Sequence, residues 1–250
     1  MKRTTCRPET VSVNRLALAA GLLLAAGLAG CGGDSGVSDE RRTPSSATPS
    51  STLLSMPDGD TRDDAVVPFE PGTYLIPSSA WSVTDLTVTF PEGWTVQYGH
   101  VYHQNDGETA EFYTVKVNEI STDPCQDGST PQKVGPRPQD LVAALLEQEG
   151  PVASDPVKTT LGGYPATRID LGIPKDSKGC STLEADFGLQ LWYSRPADKY
   201  FVLLPDGTAS VYVVDVDGNR QVFVTQVREP ASAADRAELQ TVLDSIRIER

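Results

Sequence analysis

Residues 210–227 read SVYVVDVDGNRQVFVTQV. Two runs rich in Val, Tyr, Phe and Thr flank Asp217-Gly218-Asn219. β-branched and aromatic residues suit a pleated surface, and Asp-Gly supplies the positive φ that a tight hairpin needs. The spacing predicts strands over Ser210 to Val216 and Gln221 to Val227, joined by a short turn. Upstream, Tyr164 to Leu171, Gly188 to Tyr193 and Tyr200 to Leu204 read as further strands. Leu86-Thr87-Val88-Thr89-Phe90 alternates apolar and polar residues, as a half-buried strand should. Pro91-Glu92-Gly93 then turns the chain, and Trp94-Thr95-Val96 resumes extended structure. Asn105-Asp106-Gly107 reads as a hairpin loop before a strand over Phe112 to Ile120.

Two helices interrupt this pattern. Over Gln139 to Glu149, Pro138 and Asp140 suit a first turn, Leu141, Val142, Leu145 and Leu146 form an apolar face, and Gly150 fits the position just past the end. Near the C-terminus Ser232 and Asp235 form a capping-box pair, and Leu239, Val242, Leu243 and Ile246 fall at i, i+3, i+4 and i+7. The order strands, helix, strands, helix predicts an α+β domain over residues 66–250. In it an antiparallel sheet carries the middle and C-terminal helices on one face.

The segments LTVTFPEGWTV (86–96), LGGYPATRIDL (161–171) and ELQTVLDSIRIE (238–249), with the helix between them, resemble actinobacterial lipoproteins of the LpqN type. Their fold is the PsbP-like one, an antiparallel sheet flanked by helices. The sequence is also similar to actinobacterial secreted domains with a cysteine pair after the second hairpin. Neither group has catalytic residues to transfer. The resemblance implies a non-enzymatic envelope protein, an interaction or ligand-binding module.

The N-terminus predicts where such a module sits. Lys2, Arg3, Arg7 and Arg15 precede an apolar run from Leu16 to Leu28. That run has the length of a signal-peptide core and is shorter than the ~20 residues that span a bilayer. It ends in Leu28-Ala29-Gly30-Cys31, which resembles a bacterial lipobox. Residues 1–30 are then a lipoprotein signal peptide and Cys31 takes the lipid, against the competing reading of an ordinary secretory signal or a membrane span. Two acyl chains at ~0.8 kcal/mol per buried CH₂ anchor stably where one does not. Residues 31–65, rich in Ser, Thr, Pro, Gly and Asp and without an aromatic residue, read as a disordered tether with an r.m.s. span of ~30 Å.

Without residues 1–30 the chain loses Lys2, Arg3, Arg7, Arg15 and Glu9, which takes the formal net charge from −13 to −16. That balance argues against a nucleic-acid partner and against docking on anionic headgroups. Of the four cysteines, Cys6 leaves with the leader and Cys31 is lipidated. Cys125 and Cys180 remain, and in an oxidising exterior they read as a disulfide; two free thiols are the competing reading. No Cys-x-x-Cys spacing accompanies them, which disfavours a metal.

Other motifs lose to plainer readings. Gly33-Asp34-Ser35-Gly36 matches a serine-protease tetrapeptide but lies in the tether, where no triad can pack. Asp58 to Asp64 fails the EF-hand pattern, and the hairpin accounts for Asp215 and Asp217. His100 and His103, the only two histidines, read as loop residues on the first hairpin, although with Asp106 and Glu108 nearby they could form a weak metal site. Trp94, Tyr98, Tyr102 and Tyr113 cluster near that hairpin and form the candidate binding surface. The expectation is a non-catalytic binding or accessory protein without a cofactor or metal, on the outer face of the cytoplasmic membrane. Its partner would be an envelope protein or a small apolar ligand. The alternative is a hydrolase of cell-wall or lipid substrates.

Overall fold

The computed structural model describes residues 53–56 and 66–249, apart from 80, 98, 105–107, 127, 175–179, 185–187, 195–198, 206 and 230. Residues 49–250 form one compact unit. The leader, Cys31 and most of the tether lie outside the described residues. In chain order the first elements are β1 (Leu54–Ser55), β2 (Val67–Pro68), β3 (Gly72–Ile76), β4 (Leu86–Phe90), β5 (Trp94–Gln97), β6 (His100–Gln104) and β7 (Glu108–Val115). Then come β8 (Glu119–Ser121), β9 (Pro131–Lys133), α1 (Pro138–Glu147), β10 (Val152–Ala153), β11 (Val157–Leu161), β12 (Tyr164–Gly172) and α2 (Ser181–Glu184). The last are β13 (Leu189–Ser194), β14 (Lys199–Leu203), β15 (Gly207–Val216), β16 (Asn219–Arg228), α3 (Ala233–Ser245) and β17 (Arg247–Ile248).

The hairpin β15–β16 lies at the centre of a nine-stranded sheet ordered β10-β12-β15-β16-β7-β6-β5-β2, with β11 also on β12. Its turn is two residues long. Val216 pairs with Asn219, and Asp217 and Gly218 both have positive φ, 52° and 87°, as the favoured hairpin turn requires. Asn219 therefore begins the second strand.

Side chains on a strand alternate between faces, and in this hairpin both faces are apolar. Val211, Val213, Val222 and Val224 belong to one core, and Tyr212, Val214 and Phe223 to another. Two apolar faces require two covers. One face lies under α3 and a small sheet ordered β1-β3-β4-β17, which contribute Leu239, Val242, Leu243, Val88 and Phe90. The other lies under α1 and a second small sheet ordered β14-β13-β8-β9, which contribute Leu141, Leu145, Ile120, Trp192 and Phe201. The fold is α+β with a middle and a C-terminal helix, but the expectation that both helices share one face is corrected: they cover opposite faces.

Three further differences follow. The segment expected as one strand over 112–120 is two strands in two sheets. Arg220 holds the bend between them, donating to Val117 O and, from its other nitrogen, to Gly135 O and Arg137 O. Within the stretch read as tether, Leu54 and Ser55 pair in parallel with Tyr74 and Leu75. Gly72 allows this, because a Cβ there would stand 2.7 Å from Leu54 Cδ1. Helix α1 ends at Glu147, two residues earlier than its apolar pattern predicts, with Gln148 as C-cap. Helix α3 follows its capping signal: Asp235 N donates to Ser232 Oγ at 3.1 Å and Ser232 N to Asp235 Oδ2 at 2.7 Å. No helix among the described residues is long and apolar enough to cross a membrane.

Candidate functional site

The two histidines are strand residues rather than loop residues, and they face opposite cores. Both lie on β6, three residues apart, so the alternation of the strand separates them. His100 Nδ1 bonds Glu111 Oε1. The other carboxylate oxygen accepts Gln226 Nε2 at 3.0 Å. Gln226 also donates to Val202 O at 3.0 Å, and its Oε1 accepts Leu204 N at 3.2 Å. The His100 ring stacks on Tyr113 at 4.3 Å and on Phe201 at 5.3 Å between centroids. This group joins the nine-stranded sheet to β14. Burial, then the charge of Glu111 and the neighbouring Tyr102, pushes the Tyr113 phenol well above its usual 10.

His103 sits on the other side, 6% exposed. Its Nε2 is 3.2 Å from Glu238 Oε1 and its Nδ1 is 3.7 Å from Asp235 Oδ1. Trp94 Nε1 donates to the same Glu238 oxygen at 2.8 Å, and the Trp94 and His103 rings lie 5.4 Å apart. This group ties the β5–β6 hairpin to the first turns of α3. In one place a half-buried imidazole, in the other a buried one, meets carboxylate oxygens, which is how a core keeps a polar ring without leaving it unmatched. Among the described residues no group of three or more His, Cys, Asp and Glu could hold a metal ion.

The candidate binding surface is divided: Trp94 is separated from Tyr102 and Tyr113, which both lie beside His100. Trp94 is 1% exposed in the α3 core, whereas Tyr113 is 2% exposed in the α1 core. Tyr102 shares the His100 side of β6, with its ring 6.1 Å from the histidine. Tyr98 lies outside the described residues, as do Cys31 and Asp106. Cys125 and Cys180 are bonded, with Cα atoms 4.6 Å apart. Around them Thr182 N donates to Cys125 O at 3.1 Å and Gln190 N to Pro124 O at 3.0 Å, so the bridge joins the segment at Pro124 and Cys125 to the start of α2, and the second bond ties it to β13.

Open space is found instead along both flanks of α1. One cleft, of about 260 Å³, runs beside Pro138, Gln139 and Val142 against Lys158, Thr167 and Asp215 of the large sheet. The other, of about 270 Å³, runs beside Ala144, Glu147 and Gln148 against Ile120, Gln132 and Val134. Gln148 anchors the second. Its Nε2 donates to Leu191 O at 2.6 Å and to Ser121 O at 3.0 Å, while its Oε1 is buried with no hydrogen-bond partner.

Sequence reasoning missed Gln148, Glu111 and Gln226, and the signal was the same for all three. Gln148 continues the buried stripe Leu141–Leu145, and Glu111 shares the strand parity of Tyr113 and Val115. Gln226 shares that of Val222 and Val224. A polar residue on an apolar stripe marks a buried polar tie.

No family model matches the sequence, and no curated protein matches it. A solved structure from Bacteroides thetaiotaomicron VPI-5482 is similar over 73% of this chain, at 13% sequence identity and a TM-score of 0.35. The chain spans 50% of the length of that structure.

Proposed function

We propose that the protein is a non-catalytic, lipid-anchored binding or accessory protein of the cell envelope, of the LpqN type with a PsbP-like domain. Cys31 carries the lipid, and the tether holds the domain on the outer face of the cytoplasmic membrane. There the domain meets an envelope protein or a small ligand. The carrying observation is that both imidazoles of the chain are spent inside the fold. His100 is stacked on Tyr113 and Phe201 and tied to Glu111, and His103 is closed in by Trp94, Asp235 and Glu238. General-base chemistry by histidine needs an imidazole within reach of the substrate proton, and these two are engaged elsewhere. The cysteine pair and the capped C-terminal helix, set around an antiparallel sheet, fit the same reading.

Two measurements test it. Labelling in the host with a fatty-acid analogue should mark the wild-type chain and miss Cys31→Ala; equal labelling of both removes the anchor from the proposal. Native mass spectrometry of the chain extracted from its host should retain a bound small molecule or protein. Turnover of a cell-wall or lipid ester that survives replacement of the retained ligand would instead make it a hydrolase.

A further inference from the structure

We propose that the outer edge of β3 is a docking site for an extended segment of a partner protein, and that β1 occupies it in this structure as a displaceable strap. The proposal deepens the binding reading above and rests on it. On one edge β3 pairs with β4 along its whole length, from Gly72 to Ile76. On the other, among the described residues, it has only β1, which pairs at two positions, Leu54 with Tyr74 and Ser55 with Leu75. An edge of this kind presents N–H and C=O groups that another strand can take up.

The strap is held lightly. Its pairing is parallel, which is slightly weaker per residue than the antiparallel pairing on the β4 side. Leu53 and Leu54 are 49% and 37% exposed, so the segment buries little apolar surface in return for the chain freedom it gives up. Segments with few buried contacts open before the core does. The place it fills is nonetheless shaped. A Cβ at Gly72 would stand 2.7 Å from Leu54 Cδ1 and 3.9 Å from Tyr74 Cε2, so the missing side chain is the slot that the leucine enters. Gly72 is not one of the glycines with positive φ, so the backbone there does not require glycine, whereas the slot does. Two residues on, Met56 packs against the core under α3, and strand alternation puts positions 54 and 56 on one side of the segment. The edge therefore selects a leucine-like side chain, a spacer and a second apolar side chain, in an extended chain parallel to β3. The formal net charge of −13 favours a neutral or basic segment over an acidic one.

The test uses the full chain, ¹⁵N-labelled, and the capped peptide STLLSMP, which copies residues 51–57. Without peptide, the amides of β1 should exchange with solvent about a hundredfold faster than those of β4; equal rates would overturn the strap. Leu54→Asp/Met56→Asp sets charge against the apolar slot and releases β1. Peptide added to that variant should give saturable shifts over Gly72 to Ile76, with an affinity about tenfold higher than for the wild-type chain, where β1 competes. Adding Gly72→Val fills the slot and should abolish binding while the amide dispersion of α3 and the large sheet is kept. The peptide STLDSDP, with both apolar anchors replaced, should not bind, which decides the same point without altering the protein. Equal affinity of the wild-type and released chains, binding that survives Gly72→Val, equal binding of the two peptides, or no shifts along β3 in the released chain would each overturn the proposal. If the peptide fails while native mass spectrometry retains a ligand or a protein, the edge assignment falls and the binding reading stands. Failure of both measurements removes both.

Discussion

The two sides of the central sheet are built differently. On the α3 side the cover comes from the outer parts of the described chain: β3 and β4 from one end, α3 and β17 from the other. Its joints are mostly apolar contact, with Phe69, Tyr74, Phe90 and Trp94 packed ring against ring. On the α1 side the cover is drawn from the middle of the chain as short strands linked by irregular segments. Such segments leave carbonyls that no ladder satisfies. Polar side chains meet these and carbonyls of the short strands as well: Arg220 at Val117, Gly135 and Arg137; Gln148 at Ser121 and Leu191; Gln226 at Val202; Thr182 at Pro124. The disulfide lies on this side too. One side is held mostly by packing, with the His103, Trp94 and Glu238 group as a polar tie to α3; the other relies more on polar ties and has a covalent clamp. Two clefts run along the helix of the second side.

The sharpest way to break the comparison is Arg220→Ala. Three carbonyls lose a buried charged donor at once, and at about 1–3 kcal/mol for each group left unmatched the loss should be about 3 kcal/mol or more. Denaturant unfolding measures it; a change below about 1 kcal/mol would show that water replaces the guanidinium and that the ties are dispensable. Burial holds the Arg220 pKa below the usual arginine value, opposed by Asp140.

Next in size is the paired replacement Cys125→Ser/Cys180→Ser. A bridge of this kind typically contributes roughly 2–4 kcal/mol. The loss should be uneven: amide exchange in β8, β9 and β13 speeds up more than in β3 and β4. Equal acceleration on both sides would mean that the two covers open as one unit.

Ser232→Ala tests the other side, where the N-cap of α3 should contribute about 1 kcal/mol. Its effect belongs in α3 and the β5–β6 hairpin that His103 joins to it, with β13 and β14 unchanged.

The smallest effect is confined to high pH. Burial, Glu111 and Tyr102 keep the Tyr113 phenol neutral in the folded protein well above its usual 10. The unfolded chain ionises that phenol near 10, so the stabilisation is complete below about pH 10 and is lost as the pH rises beyond it. Tyr113→Phe should flatten the alkaline fall in stability and leave neutral pH nearly untouched. An unchanged alkaline limb in pH-dependent unfolding would show that another group governs it.

Much of the fold was legible because it rests on local chemistry. The Asp217-Gly218 turn, the strands on either side of it and the Ser232/Asp235 cap follow from backbone preferences of a few neighbouring residues. The break at 116–118 was not legible, since Arg220, about a hundred residues away, holds it. The stripes carrying Glu111, Gln148 and Gln226 were visible, but as apolar runs their polar members looked like interruptions rather than ties. The aromatic cluster failed for a related reason. Trp94 and Tyr113 lie near one hairpin in sequence, yet residue parity sends them into different cores.

By itself the sequence determined the α+β order of elements, the turn at the centre of the large sheet and the cap of the last helix. Each depends on φ preferences, capping hydrogen bonds or apolar spacing within a few residues. Only the tertiary structure decided that the helices lie on opposite faces, that each histidine meets its own carboxylates, and that open space flanks α1. Those outcomes depend on which strands become neighbours, and strand order in a sheet is set by contacts between residues far apart in the chain.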